Sequence, residues 1–240
     1  MLQHLRAAVL ATTSVLAFTA WGCSNTTEPT PDPAPNVLQV DTTSGHTGID
    51  TAAIRVRLTA LLRQAPRRED EIPFLARLHE VEEIGSEAIH HVLEKYTDGI
   101  SILSDIHQAE MSQLEAMNIL IDLLDIDDTN PDDSLGDFVD DEISAVWDDH
   151  VDHAKHTSKT EAIIAVARVF EFQLKEALQT REHVTTPVSR FAVDMIYAMN
   201  KNHFLALVKH LRSQGTNYIP FFLTKDEFDD ESQDLYVILI

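Results

Sequence analysis

Three glutamates and one histidine, Glu82, Glu110, Glu171 and His203, are the residues of this chain whose types and spacing could do chemistry. Each interrupts an apolar stripe whose members recur at alternating steps of three and four, the period of a helix face buried against other helices. Glu82 falls between Leu75, Leu78 and Ile89, Val92, and Glu110 between Leu103, Ile106 and Met117, Leu120, Leu124. Glu171 interrupts Ile164, Ala167, Leu174, Leu178, and His203 follows Ala192, Ile196, Met199. A carboxylate in such a place is costly unless it is paired, protonated or bound to a cation. On four helices packed side by side these groups converge. Carboxylates bridge hard cations and offset their charge, while imidazole adds a neutral nitrogen donor, which makes iron or manganese the candidate cofactors. Crowded without a cation, three carboxylates would repel and take up protons. His107, one turn before Glu110, is a further candidate for the same face.

The elements that must position these residues read as follows. A short amphipathic helix over 54–62 is a bracket outside the main fold, ended by Pro66. Long helices are predicted over about 68–96, 104–125, 159–181 and 187–213, with a shorter one over 140–153. Gly85, on the stripe beside Glu82, lets another chain segment or a ligand come close. Thr97-Asp98-Gly99 is a turn, 127–136 a polar break, Pro187 a helix start and Gly215 a helix stop. The segment 218–223 is read as a cap on one end of the bundle, and the apolar LYVILI at 235–240 as a short strand or a fold-back.

Composition bounds the function. A net charge of −22 over 240 residues excludes nucleic-acid phosphate as a partner and favours cations. A hydrophobic share of 44% supplies a core, and only 7 glycines argue against a turn-rich β protein. Phosphate-binding glycine loops and the G-x-S-x-G nucleophile elbow are missing from the sequence. The run WDDHVDHAKH, with Asp148, Asp149, His150, Asp152, His153 and His156, has spacing that could clip a surface cation, but reads first as a solvated helix end.

The single cysteine, Cys23, excludes an intrachain disulfide. Residues 1–22 carry one basic residue, Arg6, and an apolar run from Ala7 to Ala20, too short for a comfortable membrane span. The end, Ala20-Trp21-Gly22-Cys23, resembles a bacterial lipobox. It implies a signal peptide over 1–22, lipidation of Cys23, and attachment to a membrane through that lipid. Ser24 favours the outer membrane, at its periplasmic face. Residues 23–48, with prolines at 29, 31, 33 and 35, read as an extended tether; the helical domain spans 49–228 and a tail 229–240.

Five segments carry a family resemblance: EVEEIGSEAIHHVLEKYTDG, AEMSQLEAMNILIDLLDI, GDFVDDEISAVWDDHVDHAKHTSKTEAI, VARVFEFQLKEAL and NHFLALVKHLRSQGTNYIPFFLTKDEF. The last, an NH pair followed by an aromatic-aliphatic run, Tyr-x-Pro and an acidic end, is the most specific. From about Glu80 to Glu227 the chain resembles the ferritin-like domain family of unknown function numbered two-two-zero-two. The resemblance implies an all-α fold, a ferritin-like four-helix bundle with extra short helices and an irregular C-terminal tail, and brings no substrate or reaction. It puts Glu82 at the first-helix glutamate and Glu110 at the glutamate of an E-x-x-H pair. It puts Glu171 at the second of two glutamates on the third long helix, and His203 at the histidine of the NH pair. The chain departs from that pattern at Gln113, Phe170, Gln173 and Asn200, so the two-metal set is stripped.

The reading that follows is an envelope-anchored ferritin-like protein with a reduced carboxylate/histidine site. The alternatives are an envelope scaffold that has lost its metals, whose Glu82, Glu110, Gln113 and His203 form a buried hydrogen-bond network, and a surface cation buffer.

Overall fold

The computed structural model describes residues 38–40, 47–96, 100–126, 138–152, 154 and 157–232. The stretch read as a signal peptide, Cys23, most of the stretch read as a tether, the predicted turn at 97–99, the polar break and the final LYVILI lie outside the described residues. Within the stretch read as a tether, β1 (Leu38–Val40) pairs antiparallel with β2 (Thr47–Ile49). The remaining elements are helical: α1 (Thr51–Gln64), α2 (Ile72–Lys95), α3 (Ser101–Leu124), α4 (Asp141–Val146), α5 (Lys159–His183), α6 (Pro187–Ser213) and α7 (Lys225–Glu231). A six-residue π-helical turn, Trp147–Asp152, continues α4. No helix among the described residues is long and apolar enough to cross a membrane.

Local chemistry sets the helix ends. Asp50, Asp140, Ser158 and Thr186 each accept a backbone N–H in the first turn of the helix they precede, satisfying donors that have no partner inside the helix. Thr224 and Glu227 form a reciprocal capping box on α7. At the end of α6, Gly215 adopts φ +78°, and Gly215 N–H and Thr216 N–H bond back to the carbonyls of Arg212 and Leu211. That pairing is a Schellman stop, where glycine takes a conformation that strains other residues.

The four long helices form a square in which α2 packs on α3 and α5, and α6 packs on the same two. Two apolar clusters fix their directions. One gathers Ile89, Leu103, Ala167 and Leu207; the other Leu78, Leu120, Ala177 and Ile196. The chain runs from the second to the first in α2 and α6, and from the first to the second in α3 and α5. Neighbours are thus antiparallel, but the consecutive helices α3 and α5 point the same way and stand at opposite corners. Simple up-down alternation is replaced by one long crossover carrying α4 and the π-helical turn. That crossover covers the outer face of α2 and α5 through Phe138, Ile143, Trp147 and Val151. On the opposite face α1 packs on α3 and α6, with Ile54 and Leu58 fully inside.

Candidate metal centre

Between the two apolar clusters lies a polar layer to which each long helix presents residues three apart. They are Glu82 and Gly85 on α2, Glu110 and Gln113 on α3, Phe170 and Gln173 on α5, and Asn200 and His203 on α6. A separation of three returns a side chain to nearly the same face of a helix, so each helix contributes two adjacent positions. Glu82, Glu110, Gln113, Gln173 and Asn200 are essentially inaccessible, and His203 is 7% exposed.

One half of the layer is closed by amides. Glu82 accepts from Asn200 Nδ2 at 2.8 Å and from Gln113 Nε2, and Gln113 Nε2 also donates to Asn200 Oδ1 at 2.7 Å. Burial, and then the charge of Glu110, hold the Glu82 carboxyl well above the ordinary carboxylate range.

The other half is open. Glu110 Oε2 lies 3.1 Å from His203 Nδ1, yet the two are not aligned for a hydrogen bond, and both atoms are buried without a partner. Gln173 Nε2 donates to the Val81 carbonyl at 3.0 Å and to Glu110 Oε1 at 3.3 Å, but Gln173 Oε1 and Gln113 Oε1 receive no donor. Phe170 sets its ring edgewise to His203, centroids 5.3 Å apart. Gly85 makes the approach possible. A Cβ there would stand 2.5 Å from both Glu110 Oε1 and Gln173 Nε2, closer than such atoms come.

Glu171 does not join Glu82, Glu110 and His203. Its carboxylate is fully buried elsewhere, accepting from the Tyr218 hydroxyl at 2.6 Å and from the N–H groups of Phe221, Phe222 and Leu223 at 2.9, 3.0 and 2.8 Å. The α5 positions that face the layer are 170 and 173; position 171 is rotated about 100° from the first. Glu171 therefore fastens the tail at 218–223, which packs through Tyr218 and Leu223 against the first apolar cluster. Burial and Glu171 push the Tyr218 hydroxyl up, so it stays a donor.

His107 is half-buried beside the surface residue His90, ring centroids 6.2 Å apart. Burial, then His90, lower its pKa and Glu110 opposes them, so it lies within electrostatic reach of the layer. Its Nδ1 has no hydrogen-bond partner. In the WDDHVDHAKH run, Asp148 and Asp149 are exposed, but His150 is buried with its ring edgewise to Phe221 and Phe222. His153 and His156 lie outside what is described of side chains. Among the described residues, no three His, Cys, Asp or Glu side chains converge in metal-binding geometry.

The family described as "Uncharacterized protein domain (DUF2202)" matches residues 71–233. The chain belongs to that family. A curated relative, "Uncharacterized protein MJ0754" of Methanocaldococcus jannaschii, is 21% identical over 169 residues, spanning 70% of this chain and 90% of its own. The crystal structure of that hypothetical protein superposes with a TM-score of 0.63 at 20% identity, covering 70% of this chain and 94% of the other. At that identity the likeness speaks for the fold alone.

The residues do not fit two metal ions. Glu171 is committed to the tail, Phe170 has no donor atom, and both oxygens of Glu82 are taken by amide N–H groups. They do fit one cation. Glu110 Oε2 and His203 Nδ1 stand 3.1 Å apart without an aligned hydrogen bond, and the Oε1 atoms of Gln113 and Gln173 are buried in the same layer with no donor. Each such buried atom left unmade costs about 1–3 kcal/mol. Sequence reading took Gln113 and Gln173 as lost ligands, and Gln113 also as a member of a buried hydrogen-bond network; Gln carbonyls are of a type that also binds hard cations.

Proposed function

We propose that this chain is an envelope-anchored, ferritin-like protein whose bundle core holds a single divalent cation, manganese or iron, at Glu110 and His203, with the Gln113 and Gln173 carbonyls beside them. The observation that carries the reading is the buried Glu110 Oε2–His203 Nδ1 pair, 3.1 Å apart and unaligned for a hydrogen bond, with the Gln113 and Gln173 Oε1 atoms buried without donors in the same layer. The single long crossover between α3 and α5 supports the ferritin-like assignment, because ferritin-like bundles connect their helices that way. A bound manganese or iron ion supplies Lewis-acid or one-electron chemistry. The chain's own contribution is one carboxylate oxygen, one imidazole nitrogen and two neutral oxygens in a site that the apolar clusters keep dry. Envelope anchoring rests on the lipobox at Cys23. A second reading, a scaffold that has lost its metals, is favoured by the amides that close the Glu82 half.

Metal content separates the two. The full chain, loaded with Mn(II) or Fe(II) and desalted, is expected to retain one equivalent, and Glu110→Gln and His203→Gln to retain almost none. Wild-type protein that retains no metal, or variants that retain as much as wild type, would establish the scaffold instead. Two equivalents would contradict the single-ion site. Detergent partitioning of wild type against Cys23→Ala tests the anchor, and equal partitioning rejects it.

A further inference from the structure

Outside the bundle core, the start of α5 and the π-helical turn enclose a cavity of ≈ 120 Å³ lined by Asp149, His150, Glu161, Ile164, Ala165 and Arg168. Its charges are separated rather than paired. Arg168 Nε is buried with no acceptor, although Asp149 and Glu161 line the same space. The Phe221 ring, 5.2 Å from the Arg168 guanidinium carbon, holds it in place by a cation–π contact. The backbone of Phe221 is anchored in turn, because its N–H donates to Glu171.

The second donor is His150, 8% exposed, with Nδ1 buried and unpartnered. Its ring is wedged edge-on against Phe221 and Phe222, centroids 4.9 and 5.6 Å away. Burial and the neighbouring Arg168 push the imidazole below its ordinary range, so a neutral ring faces the cavity. Six consecutive residues in π-helical form place His150 here, and such departures from α geometry occur often at functional sites.

We propose that this cavity binds a small zwitterionic amino acid, its carboxylate on Arg168 and His150 and its ammonium toward Asp149 and Glu161. Guanidinium Nε and Nη together match the two oxygens of a carboxylate. The carboxylates at the mouth disfavour a dianion such as phosphate and supply the complement to an ammonium group. Ile164 and Ala165 leave an apolar wall for a short side chain. The site is independent of the core layer and of any metal held there.

The test is calorimetric titration of the full chain with L-alanine, acetate, methylamine and inorganic phosphate. Saturable alanine binding is expected, with acetate and methylamine each at least about tenfold weaker because each satisfies one half of the site. Arg168→Gln is expected to abolish it. Asp149→Asn, at an exposed position where folding is not at stake, should weaken alanine severalfold and leave acetate unchanged. No heat with alanine at millimolar concentration overturns the proposal, as does alanine binding that Arg168→Gln or Asp149→Asn leaves intact. Phosphate or acetate binding as tightly as alanine would make it a plain anion site and reject the zwitterion.

Discussion

Glu110 and Glu171 are equally buried carboxylates, 1% and 0% exposed, on helices of one bundle, yet their surroundings are opposite. Glu171 collects four donors, three of them backbone N–H groups of the irregular segment 221–223. Glu110 has one weak amide hydrogen bond on Oε1 and, at Oε2, only the unaligned His203 Nδ1 3.1 Å away. The difference follows from where backbone donors exist. Inside a helix bundle nearly every N–H is already bonded within its own helix. A carboxylate pointing at the bundle axis can then be met only by side chains, a proton or a cation. One reaching a chain end or a loop finds free N–H groups and becomes a clasp. Glu71 repeats the clasp, accepting from the N–H and hydroxyl of both Thr185 and Thr186 at the start of α6.

The largest effect expected from this contrast is at the clasp. Glu171→Ala should cost about 3–5 kcal/mol, because it strands several buried donors at once. Urea unfolding measures the loss, and limited proteolysis should cut within 216–224 in the variant alone. A loss under about 1 kcal/mol would mean that water replaces the carboxylate, and the contrast with Glu110 would collapse.

Gly85→Ala tests the open half. The new Cβ meets Glu110 Oε1 and Gln173 within 2.5–2.8 Å, so a cost of about 1–3 kcal/mol is expected, together with loss of metal retention. Unchanged stability would show that the layer has slack, and the donor set argued above would lose its geometry.

The clasp and the layer should also respond to pH with opposite signs. Glu71 is held down to about 2 from 4.5 by the Thr186, Ser189 and Thr185 donors, against the cost of burial. Its contribution is therefore present above pH 4.5 and lost as pH falls toward 2. Thr186→Val should flatten that limb of a stability–pH curve by about 1–2 kcal/mol. Glu82 is raised, so in metal-free protein the unfolded chain ionises first, and stability falls as pH climbs above 4.5. Glu82→Gln keeps the shape and removes that decline, a difference within about 1 kcal/mol near pH 5 that widens as pH rises. A variant that is less stable than wild type at pH 8 would show that Glu82 is held ionised, contrary to its raised pKa.

Much of this was legible in the residues. The apolar period gave the four long helices within a few residues, and Glu82, Glu110 and His203 were readable as interruptions that meet. The glycine signals held too: Gly85 stands where two side chains crowd a helix, and Gly215 has the positive φ of a helix stop. Glu171 was misread because α5 is buried on almost every side, against the bundle on one face and the crossover on the other. The wet face of α5 is a narrow stripe through Glu161, Arg168, Lys175 and Gln179, so apolar residues fill the rest of the helix and periodicity cannot say which residue points to the axis. His150, one of several histidines in a charged run, gave no sign that it turns inward against Phe221, because its turn is π-helical and does not follow the α-helical period.

The sequence by itself determined the all-α class, the helix ends and the presence of polar residues at the middle of apolar stripes. Periodicity and capping are local properties that a chain carries without its partners. The tertiary structure alone decided which polar residues share a layer, because the crossover from α3 to α5 sets which helices are neighbours. It also decided that Glu171 serves the tail, since only the folded tail brings backbone donors to it.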